Sequence, residues 1–272
     1  MSLENNELLM LDALAYYAQL SDKIIYDDEK NWNNDEESYI SIDEFIISVK
    51  EHKDEYETVF NEVPIYDDED LGMDKIIDLI DGNYTLKRLV MVYPKEADDT
   101  STSSVCLVDP DTFDVYVIYV GNYNDDPYEY ESEFLSTWND NIKGAAVSDT
   151  AEQRRELDFY KEAIQAARDY IGNQDGDLNI TVSGHSTGGN HAQYVTIAYN
   201  KDLTGYKEIN DIDKCVSFDG QGFSNAFLDK YSEAIEERAS KIISYCPTVA
   251  IVGALIKEIL NRNFFVFRDF IK

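Results

Sequence analysis

Ile180-Thr181-Val182-Ser183-Gly184-His185-Ser186-Thr187-Gly188-Gly189 is the stretch on which the reading of this chain turns. Its β-branched opening, Ile180–Val182, leads into the pattern G-x-S-x-G at Gly184–Gly188. The following residues, Asn190–Ala198, can run as a helix. Strand, Gly-flanked turn and helix, in that order, turn a common five-residue pattern into a nucleophile elbow. Ser186 would sit on a strained turn with its hydroxyl held clear of the backbone. Gly184 and Gly188 are needed because a Cβ at either would collide with the neighbouring strand or helix. The helix start would add backbone N–H groups and a positive dipole end near a developing oxyanion.

Outward from the elbow, strands and helices alternate. Downstream come strand Lys214–Phe218, helix Asn225–Arg238, strand Lys241–Ser244, helix Val249–Leu260 and a last strand Phe264–Phe267. That alternation from Asn179 onward is the pattern of a parallel α/β sheet covered on both faces. Upstream, Asp149–Ile171 is the longest helical segment and ends at Gly172. Leu86–Val92, Ser104–Val108 and Asp114–Val120 read as strands, the last two joined by the turn Asp109–Thr112, an antiparallel start. The first 82 residues are helical: Glu7–Gln19, a capping box at Ser41–Glu44 opening a second helix, and Leu71–Ile80 closed by Gly82. Asp22–Glu37 reads as an acidic loop, and Glu133–Trp138 as a short helix. The expected architecture is one α/β domain over residues 1–272, with the first 82 as a cap or extension.

Composition narrows the function classes. A net charge of −32 on 272 residues argues against nucleic acid and against electrostatic capture by anionic lipid. The acidic runs Asp27–Glu37, Asp67–Asp70 and Asp125–Glu133 read as solvated loops, since none has EF-hand spacing. Cys106, Cys215 and Cys246 lie in apolar runs without C-x-x-C spacing, as buried reduced thiols. No apolar stretch reaches 18 residues and no signal peptide is visible, so a cytoplasmic protein without stable membrane insertion is expected, a removed leader staying open.

A serine hydroxyl needs a base, and the base needs an acid to hold its tautomer. The chain has three histidines, which makes the search short. His52 belongs to an acidic surface segment. His185 precedes the nucleophile and should point away from a base's position. His191 lies more than one turn along a helix whose inner face is normally buried. The hydrolase order is Ser, then Asp or Glu, then His. No histidine follows residue 191, and only five residues follow the Phe264–Phe267 strand. Either the sequence stops just before its base, which is the preferred reading, or the scaffold has lost activity. For the acid, Asp219 at the end of Cys215–Phe218 is a candidate; an Asx-type turn residue is the alternative. The oxyanion hole would take the N–H of Thr187 and of Asn122, after the strand Asp114–Val120. Asn122–Val147 is the natural lid candidate. The chemistry requires no metal and no cofactor.

These residues resemble the class 3 (fungal-type) lipase superfamily, and look closest to its bacterial lipase-like branch. The specific blocks are Gly184–Tyr194 and Ser217–Phe223; Leu8–Tyr16, Trp138–Asn141 and Val249–Gly253 are weaker. The resemblance implies an α/β-hydrolase fold and hydrolysis of carboxylic esters, acylglycerols among them, through an acyl-enzyme. The substrate would be a small ester or lipid. Three departures stand out: Val120-Gly121-Asn122 replaces the Arg-Gly-Thr/Ser of the oxyanion loop, no acid stands near Thr248, and no histidine follows the elbow helix. A catalytically silent binding protein, or a thioesterase or peptidase on the same scaffold, is the alternative.

Overall fold

The sheet takes its strands in chain order: β1 Ile40–Ser41, β2 Val90–Lys95, β3 Ser104–Asp109, β4 Asp114–Tyr119, β5 Asn179–His185, β6 Lys214–Phe218, β7 Ile242–Pro247 and β8 Asn263–Phe265. They belong to a computed structural model that describes residues 3–26, 39–51, 73–95, 104–121, 148–172, 177–199, 211–247 and 263–265. Pairing is antiparallel from β1 to β4 and parallel from β4 to β8. The change comes at β4–β5 because a 21-residue helix, α5 (Ala151–Ile171; α1–α4 precede it), lies between those strands in the chain. A tight turn can only reverse direction, whereas a helical crossover returns the chain parallel.

The helices cover both faces. α1 (Asn5–Tyr26), α2 (Ile42–Glu51) and α3 (Met73–Asp81) pack on one; the single-turn α4 (Tyr84–Lys87) leads into β2. Leu8, Leu11, Phe45 and Ile80 meet Tyr116, Ile118, Val216 and Phe218 there. On the other face α5 and α6 (Thr187–Ala198) bring Phe159, Tyr160, Ile164 and Val195 against Val115, Val117, Ile180 and Val182. Each such side chain contributes about 1.5–3 kcal/mol on burial. Along β4, Val115–Tyr119 divide between the two clusters by the period of two, so this central strand is apolar on both sides. A mixed sheet with a parallel centre, helices on both faces and the elbow after β5 is the α/β-hydrolase fold.

Several boundaries moved from their expected places. α1 runs to Tyr26, five residues into the segment read as loop, because Asn5–Tyr26 contains no Gly or Pro to stop it. The expected strand Leu86–Val92 gives its first residues to α4: Asn83 Oδ1 accepts the N–H groups of Thr85 (2.9 Å) and Leu86 (3.2 Å). That cap overrides the β propensity of the following residues. Helix Asn225–Arg238 breaks at Tyr231 into α7 (Asn225–Lys230) and α8 (Ser232–Arg238), where the Tyr231 hydroxyl reaches Asp149 at 2.6 Å. β7 runs to Pro247, past the expected end at Ser244.

The Ser41–Glu44 capping box is present, as is the turn between β3 and β4. Gly172 ends α5 at φ 69°, the left-handed backbone that favours glycine. The helices expected at Glu133–Trp138 and Val249–Leu260, the last residues of the expected final strand, and Asp67–Asp70 with nearly all the other acidic loops lie outside the described residues.

Candidate active site

Ser186 stands between the end of β5 and the start of α6 with φ 56° and ψ −124°. A non-glycine residue there costs on the order of 1–3 kcal/mol. Two backbone bonds hold it: the Ser186 N–H donates to Phe218 O (2.9 Å), and the Asn190 N–H donates to Ser186 O (3.2 Å). The side chain is partly exposed and does not cap the helix. Among the described residues no hydrogen bond takes up its hydroxyl, so the turn is rigid while the oxygen stays uncommitted. A Cβ on Gly188 would lie 1.9 Å from Tyr119 O, and one on Gly184 would lie 2.4 Å from Gly188 O. Both glycines are therefore required by close approach of backbones. Thr187 opens α6, where N–H groups lack intrahelical acceptors.

Asp219 follows β6 at the same edge, because His185 and Phe218 are register partners. It too has positive φ, 51°. Its N–H donates to Tyr245 O (2.7 Å), and the Cys246 thiol donates to its Oδ1 (3.6 Å). These contacts run toward β7, on the far side of β6 from Ser186. The fold brings Ser186, Thr187 and Asp219 to one edge, the carboxyl ends of parallel strands, where α/β sites gather. Asn122 and the Asn122–Val147 lid candidate lie outside the described residues, which stop in this region at the buried Gly121.

Ser183 and His185 are two residues apart on β5 and so share a face. The Ser183 hydroxyl donates to Asp12 of α1 (3.0 Å), so His185 is turned toward the α1 layer. Its surroundings strip water from the ring and lower its pKa to about 4, which keeps it neutral. His191, on α6, is 1% exposed. His52 lies outside the described residues. The three cysteines are buried thiols, and burial pushes that of Cys215 up to about 12. Among the described residues no cluster of His, Cys, Asp or Glu could hold a metal ion, and no helix is long and apolar enough to cross a membrane.

Sequence reading missed the polar residues that brace the site. Asn190, Gln193 and Gln153 are all buried. Gln193 Nε2 donates to Ser217 Oγ (2.9 Å) on β6. Thr150 and Gln153 form a capping box at the start of α5. Asp149, beside it, accepts from the hydroxyls of Tyr231 (2.6 Å), Ser148 (2.8 Å) and Tyr194 (3.1 Å) and pairs with Lys230. Burial pushes its carboxyl up, but Lys230 and the three hydroxyls together outweigh that and hold it at about 2. The spacing Thr150-x-x-Gln153 was a readable signal. The partners across the fold had none.

A family model described as Mbeg1-like, a lipase-like family, matches residues 132–266. That stretch holds the elbow, α6 and Asp219, so the chain is similar to lipase-like proteins through its candidate site. No curated protein matches by sequence. Among solved structures, M37 lipase is 14% identical, with 93% of this chain and 70% of that one covered and a TM-score of 0.49. Lipase II from Rhizopus niveus is 12% identical over 62% of this chain and 61% of its own, TM-score 0.40. A structure described as a fungal lipase is 14% identical over 93% and 76%, TM-score 0.42. The fold assignment rests on the strand order and the elbow, not on these likenesses.

Proposed function

We propose that this lipase-like scaffold is a serine hydrolase of the lipase/esterase type, one domain over residues 1–272, with Ser186 as its nucleophile. The observation that carries the reading is the elbow: a strained serine at the carboxyl edge of the sheet, its side chain partly exposed and, among the described residues, without a hydrogen bond. In the reaction Ser186 Oγ bonds to the ester carbonyl carbon while its proton passes to a general base. The N–H groups of Thr187 and Asn122 stabilise the oxyanion, each donor worth roughly 3–4 kcal/mol. The alcohol leaves with the base's proton, and water then hydrolyses the acyl-serine. Asp219 serves as the acid that orients the base. His185 and His191 do not fill the role of base: one faces the α1 layer and the other is buried within α6. The strong negative charge favours an uncharged ester or lipid over an anionic one.

The same two histidines favour a second reading, a hydrolase-like protein that binds its ligand without turnover. A fluorophosphonate probe separates the two, with Ser186→Ala as control. We expect stoichiometric labelling of the wild type and none of the variant. Equal labelling of both, or of neither, would sink the hydrolase reading. Rates on short against long acyl esters then divide esterase from lipase.

A further inference from the structure

Asn190 is an odd residue for its place. It lies in the first turns of a helix that is buried nearly throughout, is itself only 7% exposed, and is a poorer helix former than the alanine or leucine such a position accepts. A buried amide costs free energy unless its hydrogen bonds are made. Here they are made across the fold. Asn190 Nδ2 donates to Gln221 O and Gly222 O, both at 3.1 Å, and Oδ1 accepts from Gln153 Nε2 at 2.8 Å. Gln153 Oε1 in turn accepts the Thr150 N–H at 2.9 Å.

With the backbone bonds this makes a closed circuit. The Asn190 N–H holds Ser186 O, the Ser186 N–H holds Phe218 O, and the chain after Phe218 returns through Asp219 to the two carbonyls on Asn190. The loop is drawn in so closely that a Cβ on Gly220 would lie 2.8 Å from the Gly189 carbonyl carbon. Gly189 is equally restricted, its Cβ falling 2.9 Å from the Gly220 Cα.

We infer that Asn190 is a positioning residue: its amide clamps the Asp219–Gly222 loop to the elbow and so sets the reactivity of Ser186. This rests on Ser186 being the nucleophile. The donor Nδ2 is the working atom, because two carbonyl oxygens converge on it and nothing but a donor can hold both. Displacing a reacting group by about an ångström costs on the order of a hundredfold in rate.

The test is the time course of fluorophosphonate labelling, which forms an Oγ–P bond at Ser186 and releases fluoride with the hydroxyl proton. It is run on wild type, Asn190→Ala and Asn190→Asp, below each protein's unfolding midpoint. Asp keeps the shape and the acceptor toward Gln153 but replaces the donor. A clamp predicts that both variants lose at least about tenfold in the maximal inactivation rate while the probe's half-saturating concentration changes less than about twofold. A space-filling role predicts Asp close to Asn. Maximal rates within about twofold of wild type for Ala or Asp overturn the clamp, as does a change confined to half-saturation. Where neither variant folds, Gln153→Ala removes the outer brace alone: a fall of about threefold or more in maximal rate supports the clamp, and an unchanged rate overturns it. An unlabelled wild type removes the nucleophile reading, and the clamp with it. A labelled wild type with an unaffected Asn190→Ala removes the clamp only.

Discussion

The two faces of the sheet bury similar apolar clusters, but a carboxylate on each is partnered in an opposite way: Asp12 against α1, and Asp149 at the start of α5. Against α1 the carboxyl of Asp12 is 1% exposed; its Oδ2 accepts from Ser183, and among the described residues its Oδ1 has no hydrogen-bond partner. Burial raises its pKa well above the ordinary carboxylate value. Against α5 and α6 polar groups join into chains that run from the interior to the surface: Thr150, Gln153, Asn190 and the 219–222 loop, then Asp149 with two tyrosines and the exposed Lys230. Isolated burial costs stability, and connected burial fixes geometry. The connected groups lie on the face that carries the elbow.

The hardest way to break this comparison is at the elbow itself. Gly188→Ala drives a Cβ into the Tyr119 carbonyl, so the strand or the helix must move. We expect a loss of more than about 4 kcal/mol, measured as the urea midpoint or as failure to express in folded form. A folded variant with the wild-type midpoint would show that the backbones are not in contact.

Asp149→Asn tests a connected carboxylate. At neutral pH it should cost about 1–3 kcal/mol, since a charge-assisted bond to Lys230 is lost. The folded pKa is depressed to about 2, so the stabilisation is complete above the unfolded value near ~3.9 and is lost as pH falls toward 2. The gap between wild type and variant should therefore close between those values. A gap that stays constant from pH 7 to pH 2.5 (about half a unit above the folded value) would disprove the linkage.

Asp12→Asn should have the opposite sign with pH. The folded pKa is raised, so the native state holds the proton more tightly and wild type loses stability as pH rises through the carboxylate range. The variant lacks that loss, and its stability relative to wild type should climb with pH. Parallel stability curves from pH 4 to about 8 would end the claim.

Much of the architecture was legible in local patterns. Gly184–Gly188 between a β-branched run and a helix put Ser186 on the turn between β5 and α6, and the alternation after Asn179 implied the parallel half of the sheet. Thr187 and Asp219 come to the edge that the strand ends predicted. Local reading failed where distant groups decide. The break at Tyr231 accompanies a hydroxyl bond to Asp149, and α4 came from a cap at Asn83 that β propensity concealed.

The sequence by itself determined the elbow, because its requirements are short-range: two residues without Cβ, a serine between them, a strand before and a helix after. The same is true of the two-sided burial of β4, which follows from apolar residues at every position from Val115 to Tyr119. Only the tertiary structure decided which polar residues serve the site. Asn190 is 31 and 32 positions from the carbonyls it holds and 37 from Gln153, and no period or spacing along the chain links them. Their meeting is set by how α5, α6 and the loop after β6 pack together, and that packing is dictated by apolar contacts that carry no trace of the polar bonds formed between them.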